Sequence, residues 1–264
     1  MNILYYHVYL SDDPGVWSSI VLEQLKCIED YDLLKSLDKI KVTAITQYDS
    51  RMYSFEHLCK SYSDKFDIEF VYNPWHNDHI MVQNIEKPET VTENYTYRKI
   101  YKDCQVKQDF NICYIHTKGA TSTIRHLQGR NLQQFKNYYY WRQYLNWGVL
   151  QNWKACMYAL ETGFDVAGVN YYENPSKHYS GNFWWAKSNY IKKLPDPATI
   201  DWWKELQQNT TNSWLKTAPD RYRDEQWLCS IDNVRAFNYF TLPEHRNPAF
   251  KILTSNQYKG KLYE

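Results

Sequence analysis

Strand-like and helix-like patterns alternate along the first 115 residues, and this alternation constrains the fold more than any other feature of the chain. Short apolar, β-prone runs occupy residues 2–9, 39–46, 67–72 and 110–115. Amphipathic, helix-type patterns separate these runs, at residues 17–37, 54–61 and 93–106. Strands that alternate with helices predict βαβ units and a mostly parallel sheet. Such sheets bind ligands at the carboxyl ends of their strands.

The second half of the chain continues the α/β pattern in a more aromatic form. A long helical stretch covers residues 130–161, with a break expected near Trp147 and Gly148. Further strands are predicted at residues 165–169 and 180–186, and further helices at residues 187–193, 200–208 and 223–231. Residues 75–91 are polar and irregular, which makes them a candidate active-site loop. Because no linker or repeat divides the chain, the sequence predicts a single α/β domain over residues 1–264, with helices flanking a mixed, mostly parallel sheet.

Composition and charge exclude several classes of function. Lys and Arg number 31 against 30 Asp and Glu, a net charge of +1 without the basic stripe that nucleic-acid binding favours. No apolar run is long enough to span a membrane, and residues 1–13 lack the features of a signal peptide. The six cysteines show no metal-ligand spacing and are expected to be reduced core thiols. We therefore expect a cytoplasmic protein without a nucleic-acid partner or a membrane span.

Aromatic side chains are unusually abundant, with 25 Tyr, 11 Trp and 10 Phe. Tyr and Trp combine an apolar face with a polar tip, which suits sugar rings whose C–H faces stack while their hydroxyl groups form hydrogen bonds. The ordinary alternative for any one of these rings is a place in the core. Composition therefore admits a carbohydrate ligand without requiring one.

The first candidate motif is His116-Thr117-Lys118, which ends the strand predicted at residues 110–115. His116 and Lys118 flank Thr117, so their side chains leave the same side of an extended backbone. Gly119 permits a sharp turn directly afterwards. An imidazole and a cation at the carboxyl end of a strand can neutralise a diphosphate, and a solvated loop edge is the alternative.

The second candidate motif, at residues 178–186, combines a tight glycine turn with an aromatic strand. The glycine lets a ligand approach the main chain, and its polar neighbours offer recognition groups. The two tryptophans point to opposite faces of a strand, so at most one of them lines a site. The candidate sugar- or acceptor-binding residues are His178, Ser180, Gly181, Asn182, Trp184 and Trp185.

The third candidate motif lies at residues 220–228, at the start of an amphipathic helix. Arg221 and Arg223 stand beside Asp224 and Glu225, so that guanidinium groups and carboxylates gather in one turn. Acidic residues also favour helix N-termini for purely structural reasons. The motif is a stronger candidate for a functional site because it occurs together with the other two.

These motifs, in this order, resemble a group of GT-A glycosyltransferases. The matching segments are YHVY (6–9), YIHTKGA (114–120), HYSGNFWWAKSNYIKKLPDP (178–197) and DEQWL (224–228). Members of the group occur in bacterial polysaccharide clusters and in large DNA viruses, including algal viruses that glycosylate their own capsid proteins. The resemblance implies a GT-A, Rossmann-like fold, in which about residues 1–120 bind the nucleotide and about residues 121–264 bind the acceptor and form a tail. A viral member would work in the host cytoplasm.

The resemblance also implies roles for individual residues. Tyr6, His7 and Tyr9, after the first strand, would approach the base and ribose of a UDP-, GDP- or dTDP-sugar. The acidic pair of the third motif would supply the general base of an inverting transfer to a glycan acceptor. Glu225 is the predicted base and Asp224 the alternative, and a retaining mechanism stays open.

The strand-end triplet departs from the pattern of most GT-A enzymes, which hold Mn²⁺ or Mg²⁺ on an Asp-x-Asp triplet at this place. Here the position is His116-Thr117-Lys118, and the chain's Asp30-Tyr31-Asp32 falls in the first helical pattern instead. We therefore do not count on a metal cofactor, and expect Lys118 and His116, with Arg221 or Arg223, to neutralise the diphosphate.

Two other classes of function compete with a glycosyltransferase. A non-catalytic protein that binds carbohydrates or nucleotide-sugars on the same fold agrees with the aromatic content and the missing Asp-x-Asp. A nucleotidyltransferase would need a Gly-rich, basic phosphate loop after the first strand, where the sequence is the acidic Ser11-Asp12-Asp13-Pro14-Gly15. The sequence therefore favours the glycosyltransferase and keeps the binding protein as its alternative.

Overall fold

The chain alternates strands and helices in its computed structural model, which describes residues 1–11, 13–46, 49–72, 93–106, 108–120, 130–174, 176–217, 222–238, 240 and 258. The strands are β1 (Asn2–Leu10), β2 (Lys39–Thr46), β3 (Phe66–Tyr72), β4 (Asn111–His116), β5 (Val166–Gly168), β6 (Tyr171–Tyr172), β7 (His178–Tyr179), β8 (Trp184–Lys187) and β9 (Ala236–Asn238). The helices are α1 (Pro14–Asp30), α2 (Leu33–Ser36), α3 (Asp49–Tyr62), α4 (Glu93–Val106), α5 (Arg130–Asn146), α6 (Trp153–Glu161), α7 (Ser188–Ile191), α8 (Asp201–Asn209), α9 (Ser213–Lys216) and α10 (Arg223–Trp227).

The described strands form one large mixed sheet and one small hairpin-like sheet. The large sheet has the order β3-β2-β1-β4-β8-β5-β9. Its first four strands are parallel to one another and β9 is parallel to β5, whereas β8 runs antiparallel to both of its neighbours. β6 and β7 pair separately. The predicted α/β class, a single domain with a mostly parallel sheet and flanking helices, is confirmed.

Each face of the large sheet carries its own hydrophobic core. Along β1, Leu4, Tyr6 and Val8 belong to the core under α1, α3 and α5, while Ile3 and Tyr5 belong to the core under α4. Side chains alternate between the two faces because successive residues of a strand point in opposite directions. Apolar residues on both faces explain why β1 is a continuous apolar run, as expected for a parallel strand buried on both sides.

The boundaries of several elements differ from the prediction. The first helix ends at Asp30, because Asp32 takes a left-handed conformation and α2 follows as a separate turn. The break expected near Trp147 is confirmed as a π-helical turn between α5 and α6. The strand predicted at residues 180–186 begins only at Trp184, and α10 ends at Trp227. The short elements β6, β7, α9 and β9 were not predicted, and the candidate loop at residues 75–91 lies outside the described residues.

The order of the strands reverses beside β1. The chain runs from β1 outward through β2 to β3, then returns through α4 to β4 on the other side of β1. In open α/β sheets, ligands bind at such a reversal, beyond the carboxyl ends of the strands. The carboxyl ends of β1 and β4 are therefore the expected location of a ligand-binding site.

Two further properties concern the molecule as a whole. Among the described helices, none combines the length and the apolarity needed to cross a membrane. All six cysteines are buried free thiols, as the sequence predicts.

Candidate functional site

The strands β1 and β4 end side by side and are tied together there. His7 is paired with His116 in the β-sheet register. Thr117 N donates to His7 O (3.1 Å), and Thr117 Oγ1 accepts from Tyr9 N (2.9 Å). Thr117 is thus committed to joining the two strand ends, which leaves its neighbours His116 and Lys118 as the functional members of the predicted triplet.

A buried network from the opposite face of the sheet holds the triplet in place. Arg142 pairs with Glu23 through two hydrogen bonds of 2.9 and 3.0 Å and donates to Lys118 O at 2.8 Å. Gln24 Nε2 donates to His116 O at 3.0 Å. The Lys118 ammonium lies 4.1 Å from the centre of the Trp141 ring, a cation–π contact. The cation at the end of β4 is therefore positioned rather than free in solvent.

Glu93 is the site residue that the sequence analysis missed. It is the first residue of α4, and its Oε2 accepts from Tyr114 Oη (2.9 Å) and from Asn182 Nδ2 (2.5 Å). Its Oε1 lies 3.5 Å from His116 Nδ1, and its side chain is 23% exposed. An acidic residue that opens a helix is common, so nothing in the local sequence distinguishes Glu93 from an ordinary helix start.

The glycine turn of the second motif reaches this carboxylate. Gly181 (φ +93°) and Asn182 (φ +62°) both have left-handed backbones. Gly181 O lies 3.1 Å from His116 Nε2. Asn182 is buried, and it donates to Glu93 while its Oδ1 accepts from Trp184 Nε1 (3.1 Å). The first and second motifs are therefore brought together, as the sequence suggested, with Glu93 between them.

The third motif also reaches the same place, through α10. Asp224 Oδ2 accepts from Asn94 N (3.2 Å) at the start of α4, and Asp224 Oδ1 lies 3.6 Å from Arg223 Nε. Asp224 is 6% exposed, so its carboxylate fastens α4 to α10. Glu225 is partly exposed and lies within electrostatic reach of both Glu93 and His116. Of the predicted acidic pair, Glu225 is the member available to a ligand.

We call the group formed by Glu93, His116, Lys118, Asn182 and Glu225 the strand-end site. Burial, with the neighbouring Lys118 acting in the same direction, lowers the pKa of His116 from 6.5 to about 3. Burial raises the pKa of Glu93, with Glu225 acting the same way against the opposing effect of Lys118. The site therefore combines a neutral imidazole, a cation and two carboxyl groups in different environments, an arrangement typical of functional sites.

Other predicted site residues lie elsewhere. Tyr6, His7 and Tyr9 belong to β1 itself rather than to a loop after it, because β1 extends to Leu10. The Tyr6 ring is fully buried, with its hydroxyl group donating to Gln24. His7 contacts Thr96 Oγ1 (2.9 Å) under α4. The placement of these residues in a loop after the first strand is thus corrected.

The two tryptophans of the second motif are both core residues. Trp184 stacks on Tyr114 in the core under α4, and Trp185 donates to Val149 O (2.9 Å) in the opposite core. They point to opposite faces, as predicted, but neither ring is exposed, so the expectation that one of them stacks on a sugar is corrected.

The remaining candidates of the second and third motifs lie at the edge of this region or beyond it. His178 is in β7, where its Nδ1 lies 2.8 Å from Ser176 O. Ser180 N donates to Asn170 O (3.0 Å), which fixes the start of the glycine turn. Arg221 lies outside the described residues.

The residues at the end of β4 do not resemble a divalent-metal site. Lys118 is a cation, and His116 offers its Nε2 to a main-chain carbonyl rather than to an ion. Within the part of the chain that the structure describes, no group of three or more His, Cys, Asp or Glu side chains could hold a metal ion.

The fold and the site together define an α/β protein with a polar, charged site at the reversal of strand order. The chain belongs to the domain family of unknown function DUF8361, whose profile matches residues 5–253. This match includes every residue of the strand-end site. No curated protein matches the chain.

Proposed function

We propose that the chain is a glycosyltransferase of the GT-A kind, which moves a sugar from a nucleotide-sugar donor to a glycan acceptor. One observation carries the proposal: Lys118, His116, Glu93 and Glu225 converge at the carboxyl end of β4. This combination supplies a cation for a diphosphate and a carboxylate for an acceptor hydroxyl group. Lys118 comes from the first half of the chain and Glu225 from the second, so the proposed cation and base meet only in the folded protein.

In the proposed reaction, Glu225 acts as the general base. The acceptor hydroxyl oxygen attacks the anomeric carbon, and its proton passes to the Glu225 carboxylate as the new C–O bond forms. The bond between the anomeric carbon and the phosphate oxygen breaks, and the nucleoside diphosphate leaves with the bonding electrons. Such a base must lie within about 3 Å of the hydroxyl group that it deprotonates. Displacement from the opposite face inverts the anomeric centre.

Lys118 is proposed to stabilise the leaving group. Its ammonium group is held by the Trp141 ring and by the Arg142 contact with its main chain. A preorganised cation at the point where negative charge develops is among the strongest contributions to catalysis. The proposal thus assigns to a protein cation the role that a metal ion has in most enzymes of this fold.

The topology of the sheet and the sequence motifs support the same proposal. A parallel β3-β2-β1-β4 half, followed by an antiparallel β8, agrees with the sequence resemblance to GT-A enzymes. The donor is proposed to be a UDP-, GDP- or dTDP-sugar and the acceptor a glycan of a glycoprotein or polysaccharide. Six reduced thiols are typical of a reducing compartment, which supports action in the cytoplasm, the host cytoplasm if the chain is viral.

A two-stage experiment tests the proposal. Thermal unfolding is first measured with UDP-, GDP- and dTDP-sugars, with manganese or with EDTA, because a ligand of the native state raises its stability. The donor that stabilises the protein is then used in transfer assays with Glu225→Gln and Lys118→Ala, and with the exposed positions Glu161→Gln and Lys26→Ala as matched controls.

We expect Glu225→Gln to lose transfer by at least about a hundredfold while donor binding changes little. Lys118→Ala should weaken binding of the nucleoside diphosphate, and both controls should match the wild type. Wild-type turnover in Glu225→Gln would remove its role as base. A donor that binds, but that the wild type neither transfers nor slowly hydrolyses, would favour the non-catalytic binding protein.

A further inference from the structure

The hydrogen-bond partner of His116 Nε2 determines where one imidazole proton lies. Nε2 is 3.1 Å from Gly181 O, and a carbonyl oxygen only accepts hydrogen bonds. Nε2 therefore carries a hydrogen and donates it. The carbonyl cannot turn away easily, because Gly181 is packed against Leu145 and Trp141 in a left-handed conformation.

The other imidazole nitrogen faces Glu93. His116 Nδ1 lies 3.5 Å from Glu93 Oε1. With the hydrogen on Nε2, a neutral ring presents a bare lone pair at Nδ1, and two bare acceptors at this separation repel each other. One further proton, on Nδ1 or on Oε1, converts this repulsion into attraction. The geometry thus requires that Glu93 and His116 hold one proton between them in addition to the one on Nε2.

The surroundings decide which of the two residues carries this proton. Glu93 faces Tyr97 from α4, Tyr114 and Lys118 from β4 and its end, and Glu225 from α10, with Asp224 beside it. Burial, the largest effect, and Glu225 favour the protonated carboxyl group and outweigh Lys118 and the hydrogen bonds from Tyr114 and Asn182, which favour the carboxylate, while burial together with Lys118 disfavours an imidazolium. The proton therefore lies on Glu93, and the hydrogen bonds from Tyr114 and Asn182 to Oε2 leave Oε1 to carry it.

We propose that Glu93 and His116 act as a one-proton pair that lets the strand-end site bind a diphosphate beside Lys118. An ionised Glu93 would both neutralise the Lys118 ammonium and repel the anion. A protonated Glu93 does neither, so the diphosphate binds the protonated pair more tightly and raises its proton affinity. Glu93 is in this sense a positioning residue. The identification of the ligand as a diphosphate rests on the proposed function, whereas the assignment of one shared proton to Glu93 and His116 does not.

Calorimetric titration with inorganic pyrophosphate tests the pair without a sugar. Wild type, Glu93→Gln and the exposed control Glu161→Gln are titrated from about pH 6 to about pH 8.5, in two buffers with different ionisation enthalpies. The Gln amide can donate to Nδ1 as a protonated carboxyl group would, but it does not titrate. Pyrophosphate itself titrates, so the informative quantity is the difference between wild type and Glu93→Gln.

When pyrophosphate binds, we expect the wild type to take up more protons than Glu93→Gln does, by a fraction of one proton per protein molecule. Its affinity should fall relative to that variant by about tenfold as the pH rises, the equivalent of a pKa raised by about one unit on binding. Glu161→Gln should behave as the wild type. Equal proton uptake and parallel affinity profiles in wild type and Glu93→Gln would overturn the proposal, and so would a wild type that binds no pyrophosphate at any pH.

The result is distinguishable from a failure of the proposed function. Proton-linked pyrophosphate binding without sugar transfer would contradict only the glycosyltransferase. Transfer with no difference between wild type and Glu93→Gln would contradict only the one-proton pair. If Glu93→Gln does not fold, nitrogen NMR of the wild-type imidazoles decides, with His116→Gln to assign the signals: a neutral ring protonated on Nδ1 would overturn the pair, and protonation on Nε2 supports it.

Discussion

Gly181 shows how much of the site depends on a single residue without a side chain. Its carbonyl oxygen accepts from His116, and its left-handed backbone turns the chain so that Asn182 reaches Glu93. A Cβ atom built on it would lie 2.6 Å from Leu145 Cδ1 and 2.9 Å from Trp141 Nε1. The position therefore excludes a side chain both by its conformation and by its neighbours.

Gly181→Ala is expected to destabilise the protein by about 2–3 kcal/mol, since the new methyl group overpacks the core and the backbone conformation disfavours it. Urea unfolding measures the loss. Gly15→Ala is the matched control, because that position lies in α1 without a positive φ and meets only the Asp13 side chain, at 3.2 Å. Equal stability of Gly181→Ala and wild type would contradict the packing described above.

The Glu93–His116 pair also has a signature in the pH dependence of stability. In the unfolded chain the ordinary pKa values are 4.5 and 6.5, whereas in the folded protein that of Glu93 is raised and that of His116 is about 3. Between pH 3 and 4.5 the unfolded pair binds two protons and the folded pair one, so the free energy of unfolding rises with pH, by about 2 kcal/mol from this pair. Above pH 4.5 both states hold one proton, and the contribution becomes flat until either folded Glu93 or unfolded His116 loses its proton.

Glu93→Gln is expected to remove this flat region. The folded variant holds no titrating proton at the pair, while unfolded His116 stays protonated up to about its ordinary pKa, so the stability of the variant continues to rise towards pH 6.5, whereas that of the wild type stays flat as long as folded Glu93 keeps its proton. Urea unfolding from pH 3 to 7 gives both profiles, with Glu161→Gln as the control. Parallel profiles for wild type and Glu93→Gln would mean that folding does not raise the pKa of Glu93, which would contradict a proton held on Glu93.

At the scale of elements, β8 connects the two cores to the site. It is the antiparallel strand between β4 and β5, and its adjacent tryptophans enter opposite cores. Trp184 Nε1 donates to Asn182, which in turn donates to Glu93, whereas Trp185 Nε1 donates to a carbonyl of the π-helical turn. One strand therefore carries one residue that supports the site and one that supports only the fold.

Substitution by phenylalanine separates the two roles. Trp184→Phe and Trp185→Phe each remove the donor of a buried hydrogen bond and are expected to lose about 1–3 kcal/mol of stability in urea unfolding. Trp184→Phe should also weaken pyrophosphate binding, because Asn182 loses a partner beside Glu93, while Trp185→Phe should bind as the wild type does. A loss of pyrophosphate affinity in both variants, or in neither, would contradict a specific role for the hydrogen bonds that link Trp184 through Asn182 to Glu93.

At the scale of the whole molecule, the six buried thiols are distributed over both hydrophobic cores, so their reactivity measures how well both cores exclude solvent. Cys27, Cys59, Cys113 and Cys156 lie in the core under α1, and Cys104 and Cys229 in the core under α4. Burial raises the pKa of Cys59 and of Cys229 to about 12, and it raises that of Cys113 well above its ordinary value. Thiolates are the reactive form, so the folded state protects these groups.

We expect Ellman's reagent to label none of the six thiols quickly in the native protein and all six in guanidinium chloride, without prior reduction. A reducing agent should leave the melting temperature unchanged. Rapid labelling of the native protein would contradict the two closed cores. Fewer than six thiols after unfolding would indicate a disulfide, which the structure does not contain among its six cysteines.

The sequence allowed much of the fold to be predicted, and every residue of the strand-end site except Glu93. The four parallel strands, the helix over residues 93–106 and the break near Trp147 follow from periodicity, because burial on one or two faces leaves a regular apolar pattern. His116, Lys118 and Asn182 were recognisable because they stand at a strand end or a glycine turn, where side chains serve ligands more often than packing.

The local sequence determined which segments become strands and helices, and which motifs carry polar chemistry. Only the tertiary structure decided which residues meet. Glu93 gains its role because the return from β3 to β4 sets the start of α4 over the end of β4, against Tyr114 and Asn182. Trp184 and Trp185 lose the role expected of them because β8 is an inner strand, covered on both faces. Neither outcome can be predicted from the local sequence, because burial and contact depend on elements that are far apart along the chain.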